Sequence, residues 1–196
     1  RSGFIGLLVP DLDNEFFASL ASAIEQAVHE LGYSLFLCNT MEDMEIESRY
    51  VDSLLDDQVM GIILVSAGLK AHPRLLQENT PVVFVDRTGS ELEIPNRVVI
   101  ESDNKKGGRL AAEQLLKRGA QRFVFLGDQR NMHAMRNRER GFADTLRENG
   151  VAPADYYRDV IAVSAANARE KVAAIHARFP FDAIFCGTDT IALGAM

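Results

Sequence analysis

Carboxylates, amides and guanidinium groups recur directly after short apolar runs in this chain. The run ending at Val9 leads into Asp11, Asp13, Asn14 and Glu15 and then the rings of Phe16 and Phe17. Ser66 follows GIILV, Asp86 and Arg87 follow VVFV, Asp128 leads towards Arg136 and Arg138, and Thr188 and Asp189 follow AIFC. Hydroxyl groups both donate and accept, and a sugar ring presents apolar C–H faces. Acceptors, forked donors and aromatic rings together therefore suit a polyhydroxylated small molecule such as a monosaccharide. Arg138 can fork onto two ligand oxygens, Asp86 and Asp189 can accept from hydroxyls, and Phe16 or Phe17 can cover a C–H face. Each residue also has a plain structural use. Asn14 can cap a helix, both rings fall on an apolar helical stripe, Asp86 and Arg87 can form a surface ion pair, and Thr188 or Asp189 can cap the last helix.

Catalytic patterns do not emerge. His29, His72, His133 and His176 lack metal-ligand spacing. The sequence holds no G-x-S-x-G elbow, no G-x-x-x-x-G-K-[ST] phosphate loop and no G-x-G-x-x-G after its first apolar run. The expectation is a protein without catalytic residues, cofactor or metal. Cys38 and Cys186 sit inside apolar runs, where a free thiol behaves as a small buried hydrophobe, so both are expected to be reduced.

The elements that must position these groups are legible in the periodicity. Apolar runs at Phe4–Val9, Tyr33–Cys38, Gly61–Val65, Val82–Val85, Val98–Ile100, Phe123–Leu126 and Ala183–Cys186 read as buried strands. Between them apolar residues step by three and four. Phe16, Phe17, Leu20, Ala21, Ile24, Ala27, Val28 and Leu31 form one helical face, and further helices are predicted over Glu45–Asp57, Asn104–Arg118, Asn137–Asn149, Ala165–Arg178 and from Thr190. Gly32, Gly119 and Gly150 follow helices, where a left-handed residue closes the last turn. Alternating strands and helices predict α/β architecture with parallel sheets and helices on both faces. A weak repeat, Phe4 to Cys38 and again Phe123 to about Val163, predicts two lobes meeting near residues 100–104.

Composition narrows the class. A chain of 196 residues with 47% apolar and 25% charged residues can bury a core, and no stretch reaches the roughly 18 apolar residues of a membrane helix. The net charge of −7 opposes a grip on nucleic-acid phosphates by these residues. The opening RSGFIGLLVPD lacks the features of a secretory signal, and the stop at Ala192–Met196 within an apolar helical pattern reads as the interior of a longer chain.

The blocks IGLLVPDLDNEFFASLASAIEQAVHELGYSL, GIILVSAG, PVVFVDR, VVIESDNKKGG, RNRERGFADTL and FDAIFCGTDTIALGAM occur in one order over essentially the whole chain. In this the chain resembles the effector-binding core of the LacI/GalR family of bacterial transcriptional repressors, which is itself similar to type I periplasmic sugar-binding proteins. The resemblance implies two Rossmann-like lobes, residues 1–101 and an incomplete 102–196, closing on a sugar or sugar-like effector across a hinge. It implies ligand contacts by Asn14, Phe16, Phe17, Ser66, Asp86, Arg87, Arg138 and Asp189. Thr188–Asp189 stands where the family has Asn-Asp, Glu15 stands where relatives often have Pro, and only Val163 and its neighbours follow the seventh strand, where an aromatic often stacks. The family further implies a cytoplasmic homodimer that reads operator DNA through a helix-turn-helix headpiece absent from this chain, with no membrane contact. The solute-binding protein of a sugar ABC transporter shares the fold and the site and is the alternative, and a small-molecule-modifying α/β enzyme is a third class.

Overall fold

The computed structural model describes residues 3–68, 72–86, 97–130 and 132–196. The chain divides into two compact units, Arg1–Ser102 and Asp103–Met196. In the first, β1 (Phe4–Val9), α1 (Glu15–Glu30), β2 (Ser34–Asn39), α2 (Met44–Asp56), β3 (Gly61–Leu64), α3 (Pro73–Gln77), β4 (Val82–Val85) and β5 (Arg97–Ile100) follow in order. Their strands form one sheet in the order β2-β1-β3-β4-β5, parallel throughout, with Leu8 opposite both Cys38 and Leu64.

Alternation along β1 assigns the helices to opposite faces. Leu7 and Val9 pack with Phe17 and Ala21 of α1, whereas Leu8 packs with Val51, Leu54 and Leu55 of α2 and Leu75 of α3. The edge strands correct one expectation. Val98, Val99 and Ile100 of β5 and Phe36 and Leu37 of β2 are exposed, because an edge strand has a neighbour on one side only.

The second unit contains α4 (Asn104–Lys117), β6 (Phe123–Asp128), α5 (His133–Glu148), a 3-10 turn at Pro153–Asp155, β7 (Tyr156–Ile161), α6 (Ala165–Arg178), β8 (Ala183–Cys186) and α7 (Asp189–Ala195). Its parallel sheet runs β7-β6-β8, with β6 wholly buried at the centre. Phe123 and Phe125 face α4 and α5 through Ala112, Phe142 and Leu146, and Val124 and Leu126 face α6 and α7 through Ala168, Ile175 and Ile191. The apolar-run reading passes over β7, whose Arg158 and Asp159 pair with Glu139 and Lys171. It also omits α3, and it starts α5 four residues late because His133 and Arg136 interrupt the pattern, although Ala134 and Met135 are buried. Gly32 and Gly150 adopt φ of +80° after α1 and α5, as their positions predict.

The helices begin where strands end, and side chains prepare most of those starts. Asn14 caps α1 through the Phe16 N–H at 3.0 Å, Asp43 caps α2 through Glu45 and Ile46, and Ser164 caps α6 through Asn167. Asp103 and Thr188 do the same for α4 and α7.

The backbones of α4 and α5 touch at two glycines. A Cβ on Gly108 would lie 1.9 Å from the Arg138 carbonyl oxygen, and one on Gly141 would lie 1.9 Å from that of Lys105, whereas Gly107 has nothing within 4 Å of its Cβ direction. These adjacent glycines should therefore respond with opposite signs. Gly107→Ala is expected to stabilise by about 0.4–1 kcal/mol through helix propensity. Gly108→Ala is expected to destabilise by about 1–3 kcal/mol because the helices must part. Urea unfolding of both variants reads the difference, and equal signs would show that the crossing tolerates a methyl group.

Candidate functional site

In open parallel sheets the strand ends carrying the carboxyl termini are where backbone groups and βα loops come free of the sheet, and ligands bind there. In the first unit those ends belong to the adjacent strands β1, β3 and β4, and they bring together Asn14, Phe16, Phe17, Ser66 and Asp86. The two rings meet edge to face, centroids 5.1 Å apart, yet differ in exposure. Phe17 is 4% exposed and belongs to the α1 core, whereas Phe16 is 53% exposed and is the ring a ligand can reach. Asn14 uses its side-chain oxygen on the Phe16 N–H, which leaves its amide N–H₂ uncommitted by the cap.

Asp86 ends β4 at φ +58°, while its N–H donates to the Ile100 carbonyl at 2.9 Å. Non-glycine residues seldom adopt this conformation outside turns and functional loops, and Asp tolerates it better than most. This φ falls at the residue whose carboxylate is expected to accept a ligand hydroxyl. Arg87 lies outside the described residues.

Ser66 is 1% exposed, and its hydroxyl lies 3.0 Å from Glu47 Oε1 and 2.9 Å from the Gly68 carbonyl oxygen. Glu47, on α2, is fully buried; it accepts from the Ala67 N–H and pairs with His72 Nε2 at 2.6 Å. Neither Glu47 nor His72 is identified from the sequence pattern above. The sign was present: Met44, Glu47, Val51 and Leu54 share one face of α2, so Glu47 puts a carboxylate on an apolar stripe.

In the second unit Arg138 projects from α5 to the carboxyl end of β8. Its Nε donates to Asn104 Oδ1 at 2.8 Å and its Nη1 to the Gly187 carbonyl at 2.7 Å. Both anchors are neutral acceptors, so the guanidinium keeps its full charge and its remaining N–H groups for a further acceptor. Asp189, two residues beyond that carbonyl, is the exposed first residue of α7, with Thr188 rather than Asp189 serving as the cap. Arg138 and Asp189 thus both stand at the carboxyl end of β8. Beside them Asp128, buried at the end of β6, holds Arg130 through Nε at 2.8 Å and Nη2 at 2.6 Å. Val163, after β7, packs against the core beneath.

Burial raises the Cys38 thiol above its ordinary range and pushes that of Cys186 up to about 11, so neither is a poised nucleophile. Among the described residues no cluster of His, Cys, Asp and Glu could hold a metal ion, and no helix is long and apolar enough to cross a membrane.

Residues 2–196 match the family of periplasmic binding proteins and the sugar-binding domain of the LacI family. The chain is 36% identical over 200 residues to the ribose operon repressor of Halalkalibacterium halodurans, covering 100% of this chain and 57% of that protein. It is 37% identical over 146 residues to the sucrose operon repressor of Lactococcus lactis subsp. lactis, covering 74% of this chain and 44% of that one. It therefore spans about half the length of these repressors. A periplasmic binding protein/LacI transcriptional regulator from Alkaliphilus metalliredigens, crystallised with D-xylulofuranose, superposes with a TM-score of 0.81 at 29% identity, over 100% of this chain and 71% of that one.

The two rings after β1 should separate stability from ligand contact. Phe17→Ala is expected to cost about 3–5 kcal/mol, as for other buried aromatic truncations. Phe16→Ala should stay within about 0.5 kcal/mol of the parent, as for exposed positions. Denaturant midpoints decide this, and similar losses at both positions would contradict the division.

Proposed function

We infer the function from one premise: the chain belongs to the family of periplasmic binding proteins and LacI-family sugar-binding domains. It is the effector-binding part of a LacI-type transcriptional regulator, and its effector is a monosaccharide of the pentose class. The observation that carries this is Arg138, held on Asn104 and Gly187 with donors to spare, with Asp189 exposed two residues beyond Gly187. A fork beside a carboxylate matches vicinal hydroxyls, each of which can both accept and donate. Phe16 supplies an exposed ring for the C–H face of a sugar, and Asp86 a second acceptor on a bent strand end. Asn14, the segment opened by Ser66, and Arg87 complete the first unit's share, with Phe17 packed in the core edge to face with Phe16. The pentose class is supported by the named ligands and operons of relatives: ribose for a repressor 36% identical, and D-xylulofuranose in a structure 29% identical.

The effector binds without being transformed, and no cofactor or metal takes part. It acts by stabilising one state of the regulator over another, which requires different affinities for the two states and a coupling of about 1–3 kcal/mol. DNA contact falls to a helix-turn-helix segment outside these residues, in a homodimer working in the cytoplasm. The net charge of −7 fits a unit that senses and leaves the phosphate backbone to another part. The repressor names of the relatives favour this reading over a transport receptor.

Thermal unfolding of the protein with D-ribose and D-xylulose tests the assignment. A hundredfold excess over the dissociation constant should add about 2.7 kcal/mol of stability. Arg138→Ala and Asp189→Ala should each remove that gain while leaving the circular dichroism spectrum unchanged. Ligand shifts that persist in both variants would refute these two residues as contacts. Sugar consumed during the incubation would refute binding without turnover.

A further inference from the structure

The Glu47 network has a geometry that ordinary core packing does not require. A fully buried carboxylate is costly unless its oxygens are met by donors. Here every donor comes from the loop that follows β3: the Ser66 hydroxyl at 3.0 Å, the Ala67 N–H, and His72 Nε2 at 2.6 Å. Ser66 and His72 bracket that loop, and both are nearly inaccessible, at 1% and 5% exposure. One side chain of α2 thus holds Ser66 and Ala67, just after β3, and His72, just before α3. Met44, one turn earlier on the same face of α2, adds a second hold: a Cβ on Gly68 would lie 2.5 Å from its sulfur.

The network also fixes what the loop can present. A hydroxyl has one proton, which Ser66 shares between Glu47 Oε1 at 3.0 Å and the Gly68 carbonyl at 2.9 Å, while its oxygen accepts from the Gly68 N–H at 3.3 Å. The Ser66 side chain is occupied on both counts, and Val65, Ser66 and Ala67 are all buried. Gly68 is the first half-buried residue after β3, and its carbonyl keeps acceptor capacity. His72 precedes Pro73 at the start of α3 and makes no side-chain cap there, because its ring is turned to Glu47.

We propose that Glu47 and His72 are positioning residues of the effector site: their buried pair clamps Ser66, Ala67 and Gly68 after β3, so that these residues meet a ligand through the Gly68 backbone rather than through the Ser66 hydroxyl. The ligand part of the proposal rests on reading that loop as part of the effector site. Buried polar networks act as units, so loss of one donor should loosen the remainder.

The test uses the wild-type protein, His72→Leu, His72→Gln and Glu47→Gln. The glutamine at 72 can return an N–H to the position of Nε2, whereas the glutamine at 47 sets an amide N–H₂ against one of the loop's donors. Amide hydrogen exchange at Ala67 reads the clamp, and calorimetric titration with D-ribose reads the site. His72→Leu and Glu47→Gln should accelerate Ala67 exchange and weaken ribose binding about tenfold, while His72→Gln keeps both within about threefold of wild type. Unchanged Ala67 exchange in His72→Leu and Glu47→Gln overturns the clamp. Faster exchange with unchanged ribose affinity overturns the positioning role. Should the leucine variant not fold, the volume-conserving Glu47→Gln decides alone. Wild-type protein that binds neither D-ribose nor D-xylulose refutes the pentose reading instead, and Ala67 exchange then still decides whether Glu47 and His72 hold the loop.

Discussion

Parallel strands covered by helices on both faces have no free surface along their length for polar chemistry. Leu7 and Leu8, neighbours on β1, are each fully buried, one under α1 and the other under α2, and β6 is buried at every position. In such central strands polar side chains can therefore do work only where the strands end, and in both units the carboxyl ends hold the groups that could meet a ligand. The same positions must start the next helix, which is why Asn14 and Thr188 serve as caps beside candidate contacts. Capping and binding are compatible because a cap uses one side-chain acceptor and leaves the rest of the loop free.

The close crossing of α4 and α5 carries this constraint into the second unit. Gly108 and Gly141 let the two backbones meet, and the crossing brings Asn104 and Arg138, one from each helix, within hydrogen-bond distance. With Nε and Nη1 committed to neutral acceptors, the guanidinium is oriented without being neutralised. An arginine held by a carboxylate in the same place would have little charge left to offer, as Arg130 shows on Asp128. The first unit reaches an equivalent end differently: there a buried carboxylate, Glu47, organises a loop from behind.

Strand and helix content was legible because burial imposes a period. Phe4–Val9, Val82–Val85, Ala183–Cys186 and Ala165–Arg178 have the bounds that their apolar spacing predicts. The pattern failed where polar residues are satisfied by partners distant in sequence. Strand β7 carries Arg158 and Asp159, and only the partners Glu139 and Lys171 make those charges compatible with a strand. The short helix α3 spans too few residues for any period to register. The exposed apolar residues of β2 and β5 show the converse limit, since a run of apolar residues does not reveal whether its strand has one neighbour or two.

The sequence by itself determined the α/β alternation, the carboxylates and arginines at strand ends, and the family resemblance, because these depend on residue type and near spacing. Tertiary structure decided which of two adjacent rings is buried, since Phe16 and Phe17 share a helical stripe and only the sheet beneath α1 distinguishes them. It also decided that Arg138 is held by Asn104 and Gly187, 34 and 49 positions away, and that Ser66 is engaged by Glu47 across 19. Hydrogen bonds of that separation leave no periodic trace in a chain. Their partners are chosen by how helices cross and how loops return, and those are properties of the packed molecule.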